Sequence, residues 1–197
     1  CNYQHNDAFP GSHPLFVGPL GYNGSKAAME LIKEADVVLA LGTRLNPFST
    51  LPGYNLDYWP NEAKLIQVDI NPDRIGLTKP VSVGIVGGAR QVAEQILSRL
   101  AEKAGDSGRE ERRKLIARKK AVWAETLYSM DFEQDDPGTT WNERVRARQP
   151  DHMSPRKAWR AIMEVLPEEA IISSDIGNNC AIGNAYPTFE NGRKYLA

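Results

Sequence analysis

Five consecutive residues, Asp175, Ile176, Gly177, Asn178 and Asn179, carry the strongest chemical signal in the sequence. They follow the apolar run Ala170-Ile171-Ile172 and the pair Ser173-Ser174, and they lead into the small apolar residues Cys180-Ala181-Ile182. This is the pattern of a buried strand whose tip must present polar groups. In open parallel sheets, ligands sit at the carboxyl ends of strands. Gly177 permits close backbone approach or a turn closed to other residues. The amides of Asn178 and Asn179 can donate to phosphate oxygens without adding charge. A helix starting near Asn179 would also aim its first N–H groups at an anion. The same residues equally make a capped strand-to-helix turn in which Asp175 satisfies backbone donors. The pattern alone leaves both readings open.

Other candidate chemistry is thinner. Asp69 stands near a strand end, where a ribose-binding acid could sit, but no G-x-G-x-x-G follows a strand, and GIVGGAR has the wrong spacing. The competing reading is that Asp69 and Asn71 organise the turn before Pro72. His5, His13 and His152 match no zinc spacing, and there is no CxxC pair, so they read as loop histidines making local hydrogen bonds. Ser173 and Ser174 lie outside any G-x-S-x-G elbow. No residue is assigned as a catalytic group or a metal ligand.

The elements that must position these residues follow from periodicity. Residues 1–24, rich in Gly, Pro, Asn and His, read as a loop. Ser25 can cap a helix carrying Ala28, Leu31, Ile32 and Ala35. Val37–Leu41 is a continuous apolar run, as expected of a parallel strand covered on both faces. Strands are expected at Leu65–Ile70 and Val81–Val86. An amphipathic helix follows, with Val92, Ala93, Ile96, Leu97 and Leu100 in one stripe. Strands alternating with helices predict an α/β domain with a mostly parallel sheet flanked by helices, over residues 1–104.

Residues 105–150 read as a charged helical linker. Leu115, Ile116, Val122, Trp123, Leu127 and Met130 form a helical stripe, and Glu110 precedes Lys114 by four. A second unit, 151–197, opens with Ser154 as cap and Pro155 at the first helical position. Trp159, Ile162, Met163 and Leu166 are its expected buried face, and Pro167 its stop. The strand and polar tip come next, so this unit reads as the truncated start of a second α/β domain. There is no initiator Met, and GRKYLA ends without a cap, so the sequence reads as an internal piece of a longer chain.

Bulk properties exclude several classes. The 197 residues carry 24 basic and 25 acidic side chains, a net charge of -1, which gives no electrostatic case for nucleic acid or an anionic membrane surface. No apolar run reaches the length of a membrane span. Two distant cysteines, Cys1 and Cys180, give no disulfide framework and suit a reducing cytoplasm.

SDIGNN is similar to the first strand tip of the diphosphate-binding domain in thiamine-diphosphate enzymes of the acetohydroxyacid synthase group. HPLFVGPLGYNGSKAAMELIKEADVVLALGTRLN, LIQVDINPDRIG and VSVGIVGGARQVAEQIL resemble, in that order, the central domain of those enzymes. HNDAFPGSHPLFVGPLGYNGSKAAMELI, TRLNPFSTLPGYNLDYWP, DDPGTTWNER, MSPRKAWRAIM and SSDIGNNCAIGNAYP resemble the branch acting on sulfoacetaldehyde.

The resemblance implies thiamine diphosphate and Mg2+ as cofactors and sulfoacetaldehyde and phosphate as substrates. It implies acetyl phosphate and sulfite as products, a cytoplasmic homo-oligomer, and a place in taurine degradation. An acetolactate synthase-like enzyme and a stand-alone nucleotide- or flavin-binding module are the alternatives. The resemblance places Asp175, Ile176, Gly177, Asn178 and Asn179 against the cofactor. Asn178 and Asn179 stand where the group commonly carries Gln and His. The group's activating Glu and its GDG…N metal motif have no match here, so the metal ligands are expected elsewhere in the full protein. Arg44 and Asp69 fall at strand ends, but the loop after Arg44 differs from the flavin-binding pattern, and no flavin is expected. The loop holding His5, Asn6 and Phe9 is expected to border the active site.

Overall fold

The computed structural model describes residues 1–21, 24–100, 108–130, 153–175, 177–192 and 194–196. In chain order the helices are α1 (Lys26–Lys33), α2 (Pro47–Thr50), α3 (Ala89–Leu100), α4 (Arg109–Met130), α5 (Pro155–Val165) and α6 (Asn178–Gly183). The strands are β1 (Val37–Leu41), β2 (Lys64–Asp69), β3 (Val83–Val86), β4 (Ile172–Ser173) and β5 (Tyr195–Leu196). β1, β2 and β3 form a parallel sheet in that order, with Val38 opposite Leu65 and Ile66 opposite Val83. β4 and β5 form a separate parallel pair. No helix among the described residues is long and apolar enough to cross a membrane.

Local chemistry sets the helix ends as expected. Ser25 Oγ accepts the N–H of Ala28 at 3.3 Å, and Ser154 Oγ accepts that of Arg156 at 3.3 Å, with Pro155 following the cap. Each such cap contributes about 1 kcal/mol. α1 buries Ala27, Ala28 and Met29. α4 lies against α1, where Lys119 Nζ meets Glu30 Oε2 at 2.8 Å. Trp123, the buried residue of α4, meets Tyr54 edge-on at 5.4 Å.

The sheet departs from expectation in its cover. Ala40, Leu45 and Leu65 form a core with Val38, Trp59 and Val81. The alternate residues of β1, Val37, Leu39 and Leu41, are exposed, so β1 is covered on one face and not on both. Continuous apolarity reports what a strand is built to bury, whereas the cover itself comes from other elements. The same applies to α3, where Leu97 and Leu100 are exposed, and to Ile162 of α5. Trp159, Met163 and Leu166 do pack, against Ile172, Phe189 and Tyr195.

The carboxyl ends of β1 and β2 are tied by a buried amide that periodicity does not reveal. Gln67 is 1% exposed. Its Nε2 donates to the carbonyls of Thr43 (3.0 Å) and Arg74 (3.2 Å), and its Oε1 accepts the N–H of Gly76 (2.9 Å). Those bonds hold a strained loop. Leu45 has φ 50°, the left-handed region, at a cost of about 1–2 kcal/mol. Its N–H donates to Thr43 Oγ1 at 3.2 Å, and Thr78 Oγ1 donates to the Arg44 carbonyl at 3.0 Å. The turn after β2 is organised by its own side chains. Asp69 Oδ1 accepts from Asn71 N–H, and Asn71 Oδ1 from Asp73 N–H, each at 2.9 Å.

Replacing Gln67 by Leu keeps the volume and strands three backbone partners. In the full-length protein, Gln67→Leu is expected to lower unfolding stability by roughly 3 kcal/mol. A urea midpoint unchanged from wild type would show that these bonds carry no net stability.

Candidate functional site

The strand tip forms as the residue types require. β4 ends at Ser173, and Ser174 N–H donates to the Leu196 carbonyl at 2.8 Å. Asp175 lies exposed just beyond. Ile176 falls outside the described residues. Gly177 has φ 130° and ψ -171°, a conformation open essentially to glycine alone, and it caps α6. Asn178 and Asn179 open that helix, and the structure places their backbone. Their N–H groups precede the first i→i−4 bond of the helix, from Ala181 N to the Gly177 carbonyl at 3.1 Å. A Cβ built on Gly177 meets no atom within 4 Å. Its glycine requirement is therefore conformational, and open space adjoins the backbone where a ligand's phosphates were expected.

The N-terminal loop reaches this tip from the far end of the sequence. Asn6 and Asp7 are buried within a single 3-10 turn, Asn6–Ala8. Asp7 Oδ2 accepts the N–H of Lys194 at 2.7 Å and that of Tyr195 at 3.2 Å. Asn6 Nδ2 donates to the Asn184 carbonyl at 3.2 Å, and Asn6 Oδ1 is buried without a hydrogen-bond partner. Gly11 N–H donates to the Phe189 carbonyl at 2.8 Å. The N–H and Oγ of Ser12 donate to the two carboxylate oxygens of Glu190 at 2.8 and 2.6 Å.

The same loop lies against the end of β1. Asn2 Nδ2 donates to Thr43 Oγ1 at 3.4 Å, and Gln4 Oε1 accepts from Asn46 Nδ2 at 3.0 Å. A cleft of about 560 Å³ opens there, with Asn2, His5, Phe9, Leu41, Thr43 and Trp59 in its lining. Tyr3 sits within electrostatic reach of both strand ends. Burial pushes its phenol up, Cys180 of α6 acts in the same direction, and Arg44 beyond β1 opposes them. The loop thus brings the end of β1 and the start of α6 into one neighbourhood.

Burial pushes the Tyr195 phenol up to about 12, with Cys180 adding to the rise and a hydrogen bond from Ser174 opposing it. The Tyr195 hydroxyl donates to Asn184 Oδ1 at 2.9 Å.

Asp69, the other sequence candidate, serves its own turn and not this neighbourhood. His13 makes local contacts, its Nδ1 accepting from Leu15 N–H at 3.1 Å and its ring edge-on to Phe9 at 5.0 Å. His5 is exposed in the cleft, and His152 lies outside the described residues. Among the described residues no group of three His, Cys, Asp or Glu is placed to hold a metal ion. Sequence reasoning missed Asp7, Asn184, Tyr195 and strand β5. Asn-Asp in a Gly/Pro-rich loop reads as generic turn chemistry, and a two-residue strand has no period to detect.

Comparison with known proteins adds the following. The family model "Thiamine pyrophosphate enzyme, central domain" matches residues 1–96. A sulfoacetaldehyde acetyltransferase of Roseovarius nubinhibens is 75% identical over 197 residues, covering 100% of this chain and 33% of that protein. A probable sulfoacetaldehyde acetyltransferase of Rhizobium meliloti is 73% identical over the same 197 residues, again 33% of that protein. The large subunit of acetolactate synthase isozyme 3 from Escherichia coli is 27% identical over 197 residues, 31% of its length. The chain thus spans about a third of the length of the curated relatives it matches.

Two outcomes test this geometry. Gly177→Ala in the full-length protein is expected to cost about 1–3 kcal/mol from backbone strain alone, since the space beside it is open. A thermal midpoint equal to wild type would contradict that. Tyr54, Tyr58 and Tyr195 are each raised from 10.0 to about 12 by burial. Between those values the unfolded phenols ionise while the folded ones stay protonated. The unfolded state then binds fewer protons, so stability is full below pH 10 and falls as pH rises towards 12. Tyrosinate absorbance should rise for these three residues together with loss of the folded circular dichroism signal. Their ionisation in the intact fold near pH 10 would overturn the assignment.

Proposed function

We propose that this chain belongs to the thiamine pyrophosphate enzymes, whose central-domain model matches residues 1–96, and that its full-length protein is a thiamine-diphosphate-dependent acetyltransferase. It converts sulfoacetaldehyde and phosphate to acetyl phosphate and sulfite. The observation carrying this reading is identity of 75, 73 and 71% across essentially the whole chain to relatives bearing that name. Identity at that level runs through loops, where α/β patterning would not force agreement. The acetolactate synthase alternative rests on weaker matches, 31 and 27% over most of the chain and 36% over 95 residues. A stand-alone nucleotide module finds no support in Asp69, whose carboxylate organises the turn to Asn71.

In this reading residues 1–104 are the central domain, 105–150 the linker and 151–197 the start of the diphosphate-binding domain. Asp175, Ile176, Gly177, Asn178 and Asn179 form the cofactor side of that last unit. Thiamine diphosphate, when bound, supplies the carbanion that attacks the aldehyde carbonyl. Gly177 leaves its backbone approachable, and the amides of Asn178 and Asn179 hold diphosphate oxygens as neutral donors. The magnesium ligands and the activating acid come from parts of the protein outside this chain. The loop of His5, Asn6 and Phe9 borders the site, in keeping with the bond from Asn6 to the Asn184 carbonyl. We further place the enzyme in the cytoplasm, as a homo-oligomer, consistent with Cys1 and Cys180 both being free thiols.

The test uses the full-length enzyme with Asn178→Ala and Asn179→Ala, singly and together. Each loses a hydrogen bond to a charged group, worth about 1.5–3 kcal/mol. The thiamine diphosphate concentration giving half-maximal sulfite release from sulfoacetaldehyde should rise about 10- to 100-fold. An unchanged cofactor requirement would remove these residues from the diphosphate site. Production of acetolactate from pyruvate, with no sulfite from sulfoacetaldehyde, would overturn the substrate assignment.

A further inference from the structure

We propose that Asp7 is a positioning residue for the strand tip, Asp175 and Gly177–Asn179, clamping from the N-terminal loop the two elements that bracket it. The inference rests on the reading above, that this tip meets the cofactor.

One side of the clamp acts through the strand pair. Asp7 is 8% exposed, and its negative oxygen is met by the backbone N–H groups of Lys194 and Tyr195. Such charge-assisted bonds are shorter and stronger than neutral ones. The chain they fix is the partner of β4, since Ile172 N–H donates to the Lys194 carbonyl and Ser174 N–H to the Leu196 carbonyl, both at 2.8 Å. β4 is only two residues long, too short to hold its own position without that partner. Asp175 begins immediately beyond it.

The other side acts through the helix. Asn184 is fully buried at the C-terminal end of α6. Its carbonyl accepts from Asn6, the neighbour of Asp7, and its Oδ1 accepts from Tyr195, whose N–H Asp7 holds. Two adjacent loop residues therefore fix the strand entering the tip and the helix leaving it. Gly177, between them, has a backbone that open space does not support from the side. Its conformation depends on the ends being held. A shift of about 1 Å at such a site is enough to weaken oriented contacts strongly.

The experiment compares cofactor requirement with turnover in the full-length enzyme carrying Asp7→Ala, Asp7→Asn or Tyr195→Phe. Asp7→Ala removes both acceptor bonds. The thiamine diphosphate concentration for half-maximal activity should rise about 10-fold or more, with kcat at saturating cofactor within about twofold of wild type. Asp7→Asn keeps a carbonyl oxygen in place and should restore most of the loss. Tyr195→Phe removes the hydroxyl that bonds Asn184 and Ser174, leaves the backbone bond to Asp7 intact, and should raise the requirement about threefold.

A folded Asp7→Ala enzyme with unchanged cofactor requirement overturns the proposal, and so does one in which kcat falls while the requirement stays put. If Asp7→Ala does not fold, Asp7→Asn decides, since a neutral acceptor weakens both bonds: a requirement raised about twofold or more supports the clamp, and an unchanged one overturns it. The Asn178 and Asn179 variants run alongside. If they raise the requirement and the Asp7 and Tyr195 variants do not, the clamp alone fails. If none does, the cofactor reading of the tip fails with it.

Discussion

Asp7 donates nothing and accepts twice, and most of what is organised around the strand tip follows from those two bonds. A carboxylate taken out of water costs several kcal/mol unless its lone pairs are met. Here they are met by the N–H groups of Lys194 and Tyr195, which would otherwise be orphaned at the start of β5. Each side of the contact solves the other's desolvation problem. Gly11 to Phe189 continues the seam beside the buried Phe189, and Ser12 to Glu190 carries it into solvent, where such bonds are worth less.

The three-stranded sheet is held by a comparable device. Gln67 sits on the central strand with all three of its bonds directed at loops, one beyond β1 and one beyond β2. A buried amide there is costly if unsatisfied and specific if satisfied. It fixes a loop in which Leu45 adopts a left-handed backbone, and Thr43 of that loop receives Asn2 from the N-terminal segment. The N-terminal loop thus touches both the end of β1, through Asn2, and the elements around the tip beyond β4, through Asn6 and Asp7. Tyr3 of that loop lies within electrostatic reach of both Arg44 and Cys180.

Much of the architecture was legible because it depends on local rules. Ser25 and Ser154 cap the helices that their positions announce, and the apolar runs at Val37, Leu65 and Val81 become parallel strands in chain order. The start of α6 at Asn178 falls within one residue of expectation, with Gly177 as the residue that caps it. What failed was cover. Val37, Leu39, Leu41, Leu97, Leu100 and Ile162 are apolar at the right period and yet exposed. Period reports which face an element would bury, and burial needs a second element that the period does not name.

The sequence by itself determined the helix caps, the parallel sheet, the glycine at position 177 and the polar character of the tip that follows β4. Those are consequences of backbone sterics, capping geometry and hydrophobic spacing, all of them read within a few residues. Only the tertiary structure decided that Asn6 and Asp7 belong to that tip, that Tyr195 and Asn184 join them, and that Gln67 ties two loops together. Apart from Tyr195 to Asn184, which joins two side chains, those contacts pair a common polar residue with a backbone group outside its own element. A hydrogen bond to a main-chain amide asks nothing of the partner's side chain, so it leaves no mark in the partner's sequence.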